Sequence, residues 1–407
     1  MTGSAAPGLA GWRARGAAFG LGAVAACGQA PLGYWWLALP AFAAIIVLVA
    51  RAPGMRRAAG AAWWAGAGHF ALALSWIVEP FLIDIARHGW MAPFALLLMS
   101  GGLALFWGLA GAASVWFRWR ATGFAVALAA AEYARSHVFT GFPWALPGHI
   151  WIGTAPGQGA ALAGAHGLTL ATLAVAVLPA VWGWRGAAVA AAAVAAAWWG
   201  GTQRLSVPMV ARADAAVIRL VQPNTDQAGK WDRARARTIM DTQLALTAAD
   251  PPVDLVIWPE TAVPYLQDGA PDIPLALAGA GQGAAVLAGV QRTDGAARFW
   301  NSLIVAAPDG QIAASYDKHH LVPFGEYLPL GDLVYAWTGL GAFATVEGYG
   351  YSAGPGPAVL DLGPGPGRVI PLICYEAVFP GIPRNAPGPR ADWMVQITND
   401  AWFGKLT

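Results

Sequence analysis

The hydrophobicity of this chain is uneven, and that unevenness limits its architecture more than any single motif does. Residues 16 to 199 are built from runs such as "YWWLALPAFAAIIVLVA", broken only by short arginine-bearing clusters; from about 205 onward acids, bases, prolines and turn signals return. Across 407 residues the composition is 57% hydrophobic and 11% charged, against about 25% charged in a soluble globular protein. The chain has too little charge to cover its own surface in water, so a membrane protein is expected. A formal net charge of +2 gives no basic field for nucleic acid, so no nucleic-acid partner is expected. The break falls near "WWGGTQRLSVP". The expected organisation is a membrane domain over 1–204 and a globular domain over 205–407.

A membrane-spanning helix needs about 20 apolar residues. Candidate segments lie near 16–30, 34–50, 58–78, 91–117, 121–138, 156–183 and 186–200, which makes about seven spans, the first and last short. Arg13 and Arg15 precede the first, and Arg51, Arg56 and Arg57 separate the second from the third. Arg118 and Arg120 lie between the fourth and fifth, and Arg185 between the sixth and seventh; the alternate loops hold chiefly Arg87 and Arg135. The positive-inside rule puts the amino terminus in the cytoplasm, and an odd number of spans puts the globular domain on the opposite side. Cys27, in "VAAC", imitates a lipidation signal, but another apolar span follows it directly, so it is read as a membrane-helix cysteine.

In the globular part, "AAVIRLVQPN", "VDLVIWPET" and "AAVLAGVQRT" read as buried strands. "NSLIVAAPDGQIAASYDK" reads as two strands around Pro308-Asp309-Gly310, and "RVIPLICYE" and "DWMVQITND" as two more. The stretch "WDRARARTIMDTQLALTAAD" has helical spacing. Strands with intervening helices, then hairpins, predict a layered α/β domain.

Reacting groups in such sheets collect at strand ends. Three polar residues stand there: Glu260 after "LVIWP", Lys318 after "AASYD" and Cys374 after "VIPLI". A thiol attacks a carbonyl as thiolate, which a positive neighbour favours. Glu260 is suited to take the thiol proton and return it to a leaving group. Lys318, with backbone N–H groups near Cys374, is suited to stabilise an oxyanion. The set predicts acyl transfer through a cysteine thioester, with no cofactor. Two distant cysteines and histidines without ligand spacing predict no metal site. A Cys–His pair using His319 or His320 is the alternative mechanism.

At these residues a resemblance becomes specific. "IWPETAVP", "DKHHLVPFGEYLP", "LICYEAVFP" and "ITNDAWFG" resemble the Glu, Lys and Cys motifs of the nitrilase superfamily. Joined to an amino-terminal membrane domain, their wording is similar to that of the bacterial apolipoprotein N-acyltransferase family. The resemblance implies an αββα sandwich facing the periplasm beside the inner membrane. It implies transfer of an acyl chain from a phospholipid, typically phosphatidylethanolamine, through the cysteine to the α-amino group of a diacylglyceryl apolipoprotein. It casts Glu260 as proton acceptor, Lys318 as intermediate-stabilising lysine, Cys374 as nucleophile and Glu326 as a supporting carboxylate. Trp231, Tyr375 and Glu376 match residues of the substrate site. The aromatic, glycine-rich segment 333–354 would suit a mobile lid. A membrane-tethered amidase using water, or a transporter with a binding domain, are the competing functions. The family pattern continues past Thr407 with further strands and a closing membrane helix, so a carboxyl-terminally truncated catalytic domain is expected.

The arginine distribution makes the orientation testable. A reporter fused after residue 205 should be active in the periplasm and one fused near Arg118 in the cytoplasm; the reverse pattern would overturn this orientation.

Overall fold

The computed structural model describes residues 7–209, 215–225, 233–266, 272–295, 298–327, 337 and 350–404. Trp231 and most of segment 333–354 lie outside the described residues. The chain divides into two compact units, one holding Met1–Met209 with Phe403–Thr407 and the other Val210–Trp402.

The first unit is helical: α1 (Pro7–Ala26), α2 (Trp35–Arg51), α3 (Met55–Ala73), α4 (Glu79–Leu82), α5 (Ile85–His88), α6 (Ala92–Ala113), α7 (Arg120–Arg135) and α8 (Ala160–Leu205). Its core joins Phe42, Ile45 and Ile46 of α2 with Ala58, Ala62 and Ala65 of α3. Trp107 of α6, Phe124 and Leu128 of α7 and Leu173 of α8 complete it. Among the described residues two helical stretches are long and apolar enough to cross a bilayer, Ile85–Trp116 and Ala155–Leu205. A third qualifies if Met55–Ala73 and Ser75–Leu82, bent by 61°, are taken together.

That bend falls inside the stretch 58–78 expected as one span. The helix ends at Ala73, and Leu74, with φ −111° and ψ 18°, leaves the helical conformation before the chain turns again at Ser75. In α8 the break is at Gly183, whose φ of 59° lies outside the helical region. The chain folds back there: a Cβ on Gly186 would stand 2.0 Å from the Leu178 carbonyl oxygen. The turn separates the two apolar stretches on either side of Gly183.

Arg135, expected in a loop, is the last residue of α7 and is buried with Glu132. Its Nε donates to Glu132 Oε2 at 3.0 Å and its Nη2 to the Trp144 carbonyl at 2.8 Å; Nη1 donates to the Phe142 carbonyl. Trp107 Nε1 donates to Glu132 Oε1 at 2.5 Å, and the guanidinium lies 4.9 Å from the Phe70 ring centroid. His69 Nε2 meets the Ala145 carbonyl at 2.9 Å and Gln29 Nε2 donates to that of Leu146 at 3.1 Å. The irregular segment 142–146 is thus held by buried side chains that satisfy its carbonyls, as backbone in an apolar setting requires.

The second unit has a five-stranded sheet in the order β1 (Ile218–Leu220), β2 (Leu255–Ile257), β3 (Ala285–Thr293), β4 (Phe299–Ala306), β5 (Ile312–Asp317). A three-stranded sheet is ordered β6 (Leu360–Asp361), β7 (Arg368–Ile373), β8 (Trp393–Ile397). β1, β2 and β3 are parallel, and β4 is antiparallel to both β3 and β5. Two reversals make β5 run the same way as β2, so Glu260 and Lys318 follow strand ends on one side of the sheet.

Alternation along the strands builds the layers. Val256, Val286, Ala288, Val290 and Ile304 face Met240 of α9 (Arg233–Thr247) and Leu277 of α10 (Ile273–Gly281). Leu255, Ile257, Leu287, Leu303 and Val305 on the opposite face pack against Val369, Ile373, Val395 and Ile397 of the smaller sheet. Ile370 and Leu372 turn outward to meet Ile382 of the short helix Gly381–Arg384. The result is the helix–sheet–sheet–helix order expected of the globular part, with a strand, β6, that the sequence did not suggest.

Replacing Arg135 by Leu removes the partner of a buried carboxylate and should cost about 3–5 kcal/mol. Thermal unfolding of the detergent-solubilised protein measures it; adding Glu132→Gln should recover part of the loss, and an unchanged midpoint would contradict the role given to this pair.

Candidate active site

Cys374 directly follows β7 and opens a short 3₁₀ turn, Cys374–Val378. Its φ is +52°, a left-handed value rare for a residue with a side chain. The strand therefore ends in a sharp elbow that turns the thiol out of the sheet, while Ile373 and Tyr375 on either side remain buried.

Glu260 lies three residues beyond β2, in a turn kept close to the sheet. Val263 N donates to the Gly289 carbonyl at 3.2 Å, and Gln243 Nε2 of α9 donates to the Ala262 carbonyl at 2.9 Å. The fit is tight enough that a Cβ on Gly289 of β3 would stand 2.3 Å from the Pro259 oxygen and 2.7 Å from Glu260 Cα. Only glycine admits this approach.

Lys318 follows β5 and is 1% exposed. Its Nζ donates to Glu326 Oε1 at 2.9 Å and lies 2.8 Å from Oε2. Glu326 caps its own turn: its N–H donates to the Val322 carbonyl at 2.9 Å, and its Oε2 accepts from Val322 N at 2.9 Å. Glu260 and Glu326 are joined by a residue that no sequence pattern singled out. Asn301 Nδ2, from mid-β4, donates to Glu260 Oε1 at 2.7 Å and to Glu326 Oε1 at 3.2 Å. The Asn301 carbonyl accepts from Lys318 N at 2.9 Å. Glu260 Oε2 accepts from Asn399 N, just beyond β8, at 3.0 Å.

The electrostatics follow from this packing. Burial pushes the Lys318 pKa down, but the charges of Glu326, Glu260 and Cys374 outweigh it and leave it above its ordinary value. It is a cation. Burial raises Cys374, and Glu260 and Glu326 raise it further; Lys318 and a hydrogen bond from Thr398 oppose them, and the thiol ends pushed up to about 12. A positive neighbour is present, as expected, yet burial and the charges of Glu260 and Glu326 outweigh it. The thiol is neutral at rest and needs a base.

Glu376 is fully buried and clamps two segments together. It accepts from Ile373 N at 2.9 Å, His319 N at 3.0 Å, His320 N at 3.2 Å and Tyr316 Oη at 2.9 Å, and pairs with His319 Nδ1 at 2.8 Å. The elbow carrying Cys374 is thus tied to the backbone directly after Lys318. Tyr375 is buried with its ring against His320 and Phe379, at centroid distances of 5.7 and 4.9 Å. His319 is engaged by Glu376 and by Tyr316 Oη at 2.9 Å, and the His320 ring lies 4.0 Å from that of Phe379. The structure therefore brings Glu260, Lys318, Glu326 and Cys374 into one electrostatic group and gives the two histidines other partners. Among the described residues no group of three or more His, Cys, Asp or Glu could hold a metal ion.

Burial pushes the Glu376 carboxyl up, but hydrogen bonds from His319, the Ile373 and His320 amides and Tyr316 hold it below its ordinary value. A depressed carboxylate stabilises the fold above its unfolded pKa, about 4.3, and that stability is lost as pH falls through the folded value. Glu376→Gln should lower the thermal midpoint clearly at neutral pH and much less at a pH below the depressed folded value, where the wild-type carboxylate is itself protonated. An equal gap at both pH values would rule the clamp out.

The apolipoprotein N-acyltransferase N-terminal domain family model matches residues 21–178, and the carbon-nitrogen hydrolase model matches residues 214–407. An apolipoprotein N-acyltransferase from Caulobacter vibrioides is 42% identical over 366 residues, covering 84% of this chain and 68% of that protein. One from Allorhizobium ampelinum is 34% identical over 430 residues, covering 97% and 80%, and one from Brucella melitensis is 34% identical over 432 residues with the same coverage. The similarity spans both units, so the chain belongs to the apolipoprotein N-acyltransferase family.

Proposed function

We propose that this protein moves an acyl chain from a phospholipid, phosphatidylethanolamine being the expected donor, to the α-amino group of the diacylglyceryl-cysteine that begins an apolipoprotein. The observation that carries this reading is the neutral Cys374 thiol on its strained elbow, in the electrostatic reach of a carboxylate held ready by Asn301 and a lysine kept charged by Glu326.

The reaction runs in two halves. Glu260 takes the Cys374 proton as sulfur attacks the donor's ester carbonyl. The Lys318 ammonium, with backbone N–H groups beside the elbow, stabilises the oxyanion. Collapse breaks the ester C–O bond, and Glu260 returns the proton to the departing lysophospholipid alkoxide, leaving a thioester. The acceptor amine then attacks that thioester, Glu260 takes the amine proton, the C–S bond breaks, and the proton returns to sulfur. No cofactor is consumed. Water in place of the amine would make the same site a hydrolase, an amidase where the donor is an amide, and the family membership favours the amine.

The helical unit supports a membrane setting for two lipid substrates. About seven spans, an amino terminus in the cytoplasm and a catalytic unit in the periplasm, at the inner membrane, remain the arrangement we propose. With Arg135 buried in α7 against Glu132 rather than standing in a loop, the arginine asymmetry on which the orientation rests is sharper. Trp231, Tyr375 and Glu376 are proposed to serve the substrate side of the site, Glu376 by fixing the elbow.

Intact-mass analysis of protein incubated with phospholipid should find an acyl adduct on Cys374 that disappears when a diacylglyceryl peptide is added. Cys374→Ala should abolish the adduct, Glu260→Gln and Lys318→Ala should each slow its formation about 10²-fold or more, and Cys27→Ala should leave it unchanged. An adduct on Cys27, or decay equally fast with water as with peptide, would sink the proposal.

A further inference from the structure

Arginines gather at one end of the helical unit without acids to meet them. Arg51 is the last residue of α2, Arg56 and Arg57 stand in the first turn of α3, and Arg118 and Arg120 lead into α7. Residues 1–209 hold only three acids, Glu79, Asp84 and Glu132. Glu132 is engaged by Arg135, Asp84 caps α5 and Glu79 opens α4. Among the described residues no carboxylate pairs with any of the five arginines.

Arg120 ties these helix ends together. Its Nη1 donates to the Ala52 carbonyl, just past α2, at 2.7 Å. Its Nε and Nη2 are shielded from water and have no hydrogen-bond partner. A guanidinium stays charged in a protein, and unpaired buried donors of a charged group are costly. An anion meeting these nitrogens would relieve that cost. The two helix starts act in the same sense. Gly54 and Trp119 precede α3 and α7 without a side-chain cap, and neither first turn holds an acid. Each therefore presents backbone N–H groups and the positive end of its dipole. The flank is apolar: Trp116, Phe117 and Trp119, on either side of Arg118, are 75%, 45% and 70% exposed. Aromatic rings beside arginines suit the headgroup level of a bilayer.

We infer that this end of the helical unit binds the headgroup phosphate of an anionic phospholipid, with Arg51, Arg118 and Arg120 as its cationic partners. A free phosphate would use the arginines and leave the rings in water, whereas a lipid uses both. An ethanolamine headgroup would bring its own cation into a cluster that is already positive, so the preference is for a headgroup with net negative charge. The ligand is thus distinct from the expected acyl donor, and the residues that hold it are in the helical unit, apart from Glu260, Lys318 and Cys374.

The test uses full-length protein carrying Cys374→Ala, so that added lipid is not consumed by acylation. It is titrated in nonionic detergent with phosphatidylglycerol or with phosphatidylethanolamine of the same acyl chains, and bound lipid is counted by native mass spectrometry. The first phosphatidylglycerol should bind about tenfold or more tightly than the first phosphatidylethanolamine. Arg51→Gln and Arg118→Gln, both at exposed positions and both leaving the Arg120–Ala52 bond in place, should each weaken phosphatidylglycerol about fivefold and leave phosphatidylethanolamine unchanged. Arg204→Gln, in the last turn of α8, should change neither. Arg120→Gln should weaken phosphatidylglycerol most; because it also breaks a contact between helices, the two exposed-arginine variants decide the outcome. Equal binding of the two lipids, or a phosphatidylglycerol preference that survives Arg51→Gln and Arg118→Gln, would overturn the inference. Displacement of phosphatidylglycerol by inorganic phosphate at constant ionic strength would assign the arginines to a soluble anion and overturn it as well.

Discussion

The Lys318 ammonium, almost wholly removed from water, is the charge around which the catalytic unit is organised. Burying such an ion unpaired costs several kcal/mol, and the effect survives only because Glu326 meets it with both oxygens. Glu326 must then be held in turn, and its own turn does this through Val322. One of its oxygens also accepts from Asn301, whose amide extends to Glu260. Satisfying one buried cation therefore bears on the position of Glu260, the proposed general base, three strands away. The same chain of bonds fixes how the nucleophile behaves. Burial and the neighbouring carboxylates outweigh the Lys318 field at Cys374, so the proposed attack needs proton transfer as it occurs.

Much of this was legible in the sequence, for a physical reason. Glu260, Lys318 and Cys374 each interrupt an apolar run at its end, and a strand end is where a polar side chain leaves the sheet. Asn301 was not legible. It sits inside "FWNSLIVA", where one polar residue among apolar ones reads as an ordinary alternation. Its meaning arises only when the strands pair in register and bring it to Glu260 and Glu326. Glu376 shows a related limit. Beside a nucleophile, a carboxylate invites a substrate role, but its contacts in the fold are backbone amides, Tyr316 and His319, drawn from segments more than fifty residues apart in sequence. In the helical unit, hydropathy located the apolar stretches and not their interruptions. Leu74 and Gly183 mark where helices turn, and Arg135, which looked like a loop charge, is enclosed by partners from α3, α7 and segment 142–146.

Backbone strain marks the site independently of charge. In the catalytic unit the described residues other than glycine with positive φ are Asn224, Thr261, Gln282, Phe324 and Cys374. Asparagine tolerates this region, and Gln282 ends a helix, where a left-handed residue is customary. The remaining three are Cys374 itself, Thr261 next to Glu260, and Phe324 two residues before Glu326. Each such conformation costs on the order of 1–3 kcal/mol and persists only where surrounding contacts over-determine it. Those contacts are present: the Glu376 clamp holds the elbow, Gly289 and Gln243 hold the Glu260 turn, and the Val322–Glu326 bonds hold the third. Strain concentrated at three turns, from three separate strand ends, is difficult to account for as packing noise. It is what results when the positions of a thiol, a base and the carboxylate that anchors a lysine are set by their relation to one another rather than by local backbone preference.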